Sequence, residues 1–282
     1  MIKKSSPPLV RACLAALLST LFAAGAALPQ TGQGPVQSPA PPAAGATPQP
    51  DERAEAVIKR AVEAMGGRAF LDVRTVVSSG YFTPYKDGVA TLPIRFIDYL
   101  AFPDRERTEF RGGGVRSIQT YSGDRGWLLD GMKRAVNDAT PEQVGDFRLA
   151  MRTSLDNVLR GWWRAGGAKI EHAGRREAGL GKRNEVVRLS YPDGFSVEFE
   201  FGARDGLPAK ALYRKKNPEG EEVEEEDRYA QILSVGGVSV PFVIDHFRAG
   251  TQSSRINYEK VDFNQPVPAS LFERPADARA IK

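Results

Sequence analysis

The sequence is poor in the residues that build disulfide frameworks and metal clusters. It has one cysteine and two histidines in 282 residues. A single cysteine excludes an intramolecular disulfide and any cysteine-based metal cluster. The histidines, His172 and His246, are far apart and form no spaced metal-binding motif. We therefore predict no metal site, and we interpret each histidine as a structural residue in a strand.

Motifs for nucleotide binding and covalent catalysis are also missing. The glycines at 112–114 lie between predicted strands, so they indicate a tight hairpin and not a dinucleotide fingerprint. The segment 179–182 lacks the serine or threonine and the upstream glycine of a phosphate loop. No GxSxG elbow for a nucleophilic serine is present. The sequence predicts neither a cofactor nor an enzyme.

The chain has almost no excess of positive over negative charge once residues 1–27 are set aside. Three basic residues precede an apolar run at 13–21, and small residues follow up to Ala27, which is the layout of a cleaved secretory signal peptide. Cys13 precedes most of the apolar run, which argues against a lipidation site. Without residues 1–27 the chain carries 36 Lys and Arg against 35 Asp and Glu, a net charge of +1. No basic excess indicates nucleic-acid binding, and we predict a periplasmic protein.

Composition divides the remaining chain into three parts. Residues 28–50 contain seven prolines and no charged residue, which predicts a disordered linker. Residues 51–276 have ordinary globular composition and are predicted to form a single domain. Residues 277–282 are predicted to be a C-terminal tail.

Helical periodicity occurs in two places. The first is 51–65, where apolar residues recur at helical spacing and Gly66 and Gly67 end the helix, with an added turn at 68–72. The second is 140–164, which begins at a threonine followed by Pro141. A helical insertion between strands is expected to cover one face of the sheet.

The strand period dominates elsewhere. Turn residues separate most candidates, which indicates an antiparallel meander. The predicted strands are 75–82, 92–102, 107–111, 115–121, 126–129, 185–191, 195–201, 209–214, 224–233, 238–246 and 253–263. About 11 strands and a few helices place the chain in the α+β class.

Two charged clusters are open to more than one interpretation. Arg105, Arg107, Arg111 and Arg116 are predicted either to bind an anionic head group or to pair across the sheet. The acids for such pairing are Asp98, Asp104, Glu106 and Glu109. An acidic run at 219–227 is interpreted as a solvated sheet edge that resists edge pairing, in preference to a calcium site.

The order of several short motifs resembles the LolA/LolB-like superfamily of periplasmic lipoprotein carriers. The matching segments span nearly all of 51–275. They are Ala64-Met65-Gly66-Gly67, the strand at 77–82, Phe102-Pro103, 107–110, 121–127, 206–208, 237–241, 261–266, Leu271-Phe272 and Pro275. The resemblance implies an incomplete antiparallel β-barrel wrapped around helices, with an apolar cavity between sheet and helices. It also implies a lipid or a lipoprotein acyl chain as ligand, without catalysis.

The resemblance predicts a cavity covered by the helices at 140–164. The residues predicted to line it are Phe96, Leu100, Phe102, Phe110, Trp127, Phe147, Leu155, Val158, Trp162, Trp163, Phe199 and Phe201. Adjacent helix positions point about 100° apart, so Trp162 and Trp163 are not expected to face the same surroundings. In the family an arginine precedes the proline matching Pro103 and helps to hold the cover shut. Here that position is Phe102, and Arg95 or Arg105 is the candidate substitute.

The predicted function is that of a periplasmic carrier of lipid or acylated lipoprotein in outer-membrane biogenesis. Its partners would be donor and acceptor proteins of the inner and outer membranes. The alternatives are an envelope stress sensor of related fold, a secreted enzyme of unknown type and a structural envelope component.

Overall fold

A computed structural model describes residues 51–217 and 219–281. The predicted signal peptide and the linker at 28–50 lie outside these residues. Within these described residues four helices form, which are α1 (Glu52–Ala64), α2 (Arg68–Leu71), α3 (Pro141–Thr153) and α4 (Leu155–Arg160). A 3-10 turn, Trp162–Arg164, follows α4. Among the described residues, no helix has both the length and the apolar composition needed to cross a bilayer.

The part of the chain that the structure describes contains fourteen strands, which form one antiparallel sheet. In chain order they are β1 (Thr75–Lys86), β2 (Val89–Ala90), β3 (Ile94–Ala101), β4 (Arg105–Gly112), β5 (Val115–Ser122), β6 (Arg125–Asp130), β7 (Ala135–Asp138), β8 (Lys169–Glu177), β9 (Arg183–Ser190), β10 (Ser196–Gly202), β11 (Pro208–Lys216), β12 (Glu222–Val235), β13 (Val238–Arg248) and β14 (Thr251–Phe263). The sheet order is β7-β6-β5-β4-β3-β1-β14-β13-β12-β11-β10-β9-β8, with β2 paired to β1.

The predicted fold class is confirmed, but the strand count is higher than expected. The sheet curls around the helices without pairing β7 to β8, so it is an incomplete barrel. Three strands had not been predicted, namely β2, β7 and β8. The period-2 pattern is weak in each of them. β2 has two residues and β7 has four, and β8 carries charged side chains on both faces and a glycine at 174.

The cover helices, defined as α3 and α4, connect the two free edges of the sheet. The chain leaves edge strand β7 at residue 138 and enters edge strand β8 at residue 169. The segment between them must therefore cross the open side of the barrel. Thr140 caps α3 with a capping box, and Ser154 ends α3 and caps α4 through Asn157.

Helix α1 fills one half of the curled sheet. Its buried face packs with inward residues of β9 and β10 and with Val158, Leu159 and Trp163 into the main core. The end of α1 rests on the β12–β13 hairpin, where Ser239 donates its backbone N–H to Met65 at 2.8 Å. Gly66 allows this approach, because a Cβ there would lie 2.3 Å from the carbonyl oxygen of Gly237. Two segments of the family resemblance thus meet in space.

The acidic run is not at a sheet edge, so that interpretation is wrong. It enters β12, which pairs with β11 on one side and β13 on the other. Cations of both neighbouring strands and of β12 itself pair with its acids, including Lys210 and Arg228 with Glu226. Among the described residues, no group of three or more His, Cys, Asp or Glu is placed to hold a metal.

Candidate functional site

A pocket of about 230 Å³ lies in the half of the barrel that α1 does not fill. Its floor is the inner face of β1, β3, β4, β12, β13 and β14, and its cover is the end of α3 and the start of α4. The wall is largely apolar. The apolar lining comprises Met65, Phe70, Val73, Val76, Leu100, Phe102, Ala150, Met151, Leu155, Trp162, Val238, Val240, Ile244, Ile256, Val261 and Phe263.

Four of the predicted cavity residues line this pocket. They are Leu100, Phe102, Leu155 and Trp162. The rings of Phe102 and Trp162 are in contact, with centroids 5.3 Å apart. Trp163 instead belongs to the main core and donates its indole N–H to the carbonyl of Val158. The two adjacent tryptophans therefore have different surroundings, as their helical spacing predicts.

The other predicted residues lie outside the pocket. Val158, Trp163, Phe199 and Phe201 are buried in the main core with α1. Phe96 and Phe110 pair across β3 and β4 in a second cluster beside the pocket. Phe147, in the middle of α3, stacks on Tyr121, with ring centroids 4.8 Å apart. The structure places these side chains in packing contacts with other residues of the protein.

Trp127 is on the opposite face of the sheet from the pocket. It is paired with Thr120, and Thr120 with Arg107, so all three point to the outer face. There Trp127 donates its indole N–H to the carbonyl of Phe272 at 3.1 Å. Ala278 and Ile281, from the segment predicted to be a tail, pack on the same cluster.

The predicted arginine cluster forms an ion-pair network on that outer face. Glu109 accepts hydrogen bonds from Arg107 and Arg116 and lies 3.8 Å from Arg111. Arg107 also donates to the carbonyl of Leu271 at 3.0 Å. The ion-pairing interpretation holds for these three arginines.

Asp98 and Glu106 do not take part in this network, contrary to expectation. In a strand, alternate residues face opposite sides. Glu106 and Thr108 therefore face inward while Arg107 and Glu109 face outward, and Asp98 faces inward opposite Thr108. Both carboxyls are buried and line the pocket. Thr108 is their shared partner, with its hydroxyl 2.9 Å from Asp98 Oδ1 and 3.3 Å from Glu106 Oε1.

Burial makes both carboxyls weaker acids than a carboxyl in water. It raises the pKa of Asp98 to about 7, although the hydroxyl of Thr108 and the backbone N–H of Tyr99 oppose the change. Burial, together with the charge of Asp98, raises the pKa of Glu106 to about 8. Sequence reasoning missed this pair because both acids had been assigned to the arginines of the neighbouring positions.

A second polar pair lines the pocket at β12 and β13. His246 Nδ1 is hydrogen-bonded to Asp227 Oδ1. Burial lowers the pKa of His246, but the charge and hydrogen bond of Asp227 outweigh burial, so the pKa lies above its ordinary value. The carboxyl of Asp227 therefore has its hydrogen-bond partner within the pocket wall.

Arg160 fastens the cover to the rest of the fold. From the end of α4 it donates to Asp156 at 2.7 Å and to the carbonyls of Leu71 and Val73 at 3.2 Å. Its guanidinium also lies over the rings of Phe70 and Phe102, at 4.4 and 4.5 Å from their centroids.

Neither candidate substitute for the family arginine has this geometry. Arg95 pairs with Glu259 at 3.5 Å, and both side chains are about half exposed. Arg105 borders the pocket, but its guanidinium lies over the ring of Phe272. Arg160 is thus the arginine that bridges the cover to the residue before Pro103, and it was not predicted from the sequence.

Replacing Arg160 with methionine is expected to loosen the cover. The change removes charge-assisted hydrogen bonds, each worth about 1.5–3 kcal/mol, while it keeps a long side chain over Phe70. If the free energy that favours the closed cover over the open one falls by about 1.4 kcal/mol, the open population rises about tenfold. Hydrogen exchange of residues 153–163 measures this opening.

The matched control is R164M. Arg164 lies on the same segment, pairs with Glu55 and lies over Trp163, but it faces away from the pocket. Equal exchange rates in the two variants would show that Arg160 is not the clamp.

Comparison with solved structures identifies the fold. The chain is similar to a DUF1329 family protein from Desulfovibrio piger, with a TM-score of 0.55, 13% identity, and coverage of 78% of this chain and 97% of the other. It is also similar to the LolA superfamily protein NE2245 from Nitrosomonas europaea, with a TM-score of 0.54, 14% identity, and coverage of 78% and 97%. The chain has a LolA-like fold. No protein-family model and no curated protein matches its sequence.

Proposed function

We propose that the protein is a carrier in the bacterial periplasm that holds an acyl chain in the pocket beneath α3 and α4. The observation that carries this proposal is the apolar pocket itself, which lies between the inner sheet face and the cover helices. The signal-peptide pattern of residues 1–27 supports export, and the LolA-like fold supports a binding role. The cargo is a lipid or the acyl chain of a lipoprotein, bound without catalysis.

A cargo of this kind requires a covered pocket, because exposing an acyl chain to water costs free energy. Each buried methylene contributes about 0.8 kcal/mol, so a chain of about sixteen carbons costs on the order of 10 kcal/mol to leave in water. A carrier must offset this cost during transit and must also release the chain. Opening of α3 and α4 about Ser154, with Arg160 as the fastening, provides the release step.

A bulky residue in the pocket tests the proposal. Val240 faces the pocket from β13, and V240W is expected to fill part of the space and weaken ligand binding at least tenfold. Overpacking costs about 1–3 kcal/mol, so the protein should stay folded. Binding is measured with N-phenyl-1-naphthylamine, an uncharged dye that fluoresces in apolar sites. Native mass spectrometry of protein purified without detergent detects co-purified lipid.

The matched control is L180W, because Leu180 is fully exposed in the turn between β8 and β9 and does not line the pocket. The proposal predicts dye binding and acyl-containing lipid in the parent chain and in L180W, and reduced binding in V240W. Absence of both dye uptake and lipid in the parent chain would contradict the carrier function.

A further inference from the structure

The pocket contains two buried carboxyls that lack a cationic partner. Among the described residues, no lysine, arginine or histidine forms an ion pair with Asp98 or Glu106. The hydroxyl of Thr108, which has a single hydrogen to donate, lies between the two carboxyls, and the backbone N–H of Tyr99 also donates to Asp98. Buried acids are normally paired with a cation, so two buried carboxyls without one in an apolar wall indicate a functional site.

The other ionisable side chains of the pocket wall already have partners. Arg160 pairs with Asp156, and His246 pairs with Asp227. The remaining lining cation is Arg105, which lies over the ring of Phe272. The lining as a whole carries four carboxyls against two arginines and one histidine. The pocket thus offers hydrogen-bond acceptors at one place, and negative charge there once the two carboxyls ionise.

We propose that the ligand is an amphiphile with an alkyl chain and an ammonium group, and that the ammonium binds between the carboxylates of Asp98 and Glu106. This inference rests on the carrier function proposed above. An ammonium supplies three donors and one positive charge, so it bonds both carboxylates while Thr108 serves a remaining oxygen. The apolar wall beyond them, from Leu100 to Val240, accommodates the chain.

A divalent cation fits the same acids less well. Calcium takes six to eight oxygen ligands, and magnesium demands near-octahedral geometry. Two carboxyls and one hydroxyl fall short of either set, and the described residues hold no group of three or more acidic, histidine or cysteine side chains arranged for a metal. An ammonium needs no such shell.

Three probe molecules with the same twelve-carbon alkyl chain test the inference. Dodecylammonium, dodecanol and dodecanoate differ only in the head group. The two ionic probes are titrated below their micellar concentrations, and dodecanol below its solubility limit, against bound N-phenyl-1-naphthylamine. The parent chain is expected to bind dodecylammonium at least tenfold more tightly than dodecanol, and dodecanoate most weakly. In D98N/E106Q the preference for the ammonium should fall to twofold or less, while dodecanol binding is retained.

The matched control removes two carboxyls from the outer face of the same sheet. In E259Q/D262N both replaced residues are on β14 and partly exposed, so non-specific attraction of a cation falls equally while the pocket is untouched. This control should keep the tenfold preference. The ammonium preference should also increase from about pH 6 to about pH 9 in the parent chain, as the two carboxyls ionise.

The outcomes separate the inference from the function it rests on. If dodecanol binds and dodecylammonium shows no preference, or if D98N/E106Q keeps the preference, the ammonium site is wrong and the carrier function stands. If none of the three probes displaces the dye and the dye itself does not bind, the carrier function fails.

Discussion

Replacing both pocket carboxyls, in D98N/E106Q, is expected to stabilise the protein at about pH 9 by several kcal/mol. Each of these acids has its pKa raised by burial, to about 7 for Asp98 and about 8 for Glu106. A pKa difference of one corresponds to about 1.4 kcal/mol, so ionising each buried carboxyl costs on the order of 4 kcal/mol. Total stabilities are about 5–15 kcal/mol, which makes this a large effect.

The sign of the pH dependence follows from the folded state binding protons more tightly than the unfolded state. The contribution of the two neutral carboxyls is fully present below about pH 4 and is lost as the pH rises through about 7 and 8. The free energy of unfolding of the parent chain should therefore fall over this range relative to that of D98N/E106Q. Urea unfolding at about pH 5, 7 and 9, followed by tryptophan fluorescence, measures the difference.

The outer-face variant E259Q/D262N is the control for this experiment too. Its stability should follow that of the parent chain across the pH range, because its acids are partly exposed. A constant difference between the parent chain and D98N/E106Q at every pH would show that the two carboxyls keep ordinary pKa values. A stabilised variant with altered ligand preference would instead indicate that stability has been given up for binding.

Phe199→Ala is expected to destabilise the fold by about 3–5 kcal/mol without changing the affinity of the folded protein for the dye. Phe199 is fully buried, is paired with Val187 and Ala211 on the adjacent strands, and packs in the core with α1. Truncating such a ring loses its burial and leaves a cavity. Thermal unfolding measures the first effect, and dye titration well below the midpoint measures the second.

Trp162→Ala provides the matched comparison. Trp162 is half-buried and lines the pocket against Phe102. Its loss should weaken dye binding while the unfolding midpoint falls less than in F199A. If F199A abolishes binding while its unfolding midpoint stays unchanged, Phe199 would be a ligand contact and the division between core and pocket would be wrong.

Local patterns in the sequence were sufficient for the class of fold. The alternation of Phe195 to Phe201 predicts a strand with one dry face, and that strand is β10. The helix start at Thr140 and Pro141 is confirmed with its capping box. These features depend on neighbours within a few residues, which is why they are readable from the chain alone.

The candidate site was only partly predictable. Phe102 and Trp162 were expected at the cavity and border it, whereas Phe199, equally aromatic and alternating, is covered by α1. An apolar side chain on the inner face has the same sequence signal whether a helix or a pocket lies opposite it. Which of the two it meets depends on where α1 packs, over a hundred residues away in the chain.

The sequence by itself determined the antiparallel sheet, the helices and the place of the cover between two strands. Only the tertiary structure decided what each face of the sheet contacts and which side chains pair with each other. Register across β3 and β4 turned Asp98 and Glu106 inward and left Glu109 with the arginines. Packing of distant segments placed Trp127 under the C-terminal segment and Arg160 over Phe102. Hydrophobic periodicity encodes which residues share a face, but the curvature of the sheet and the packing of distant segments decide what that face contacts.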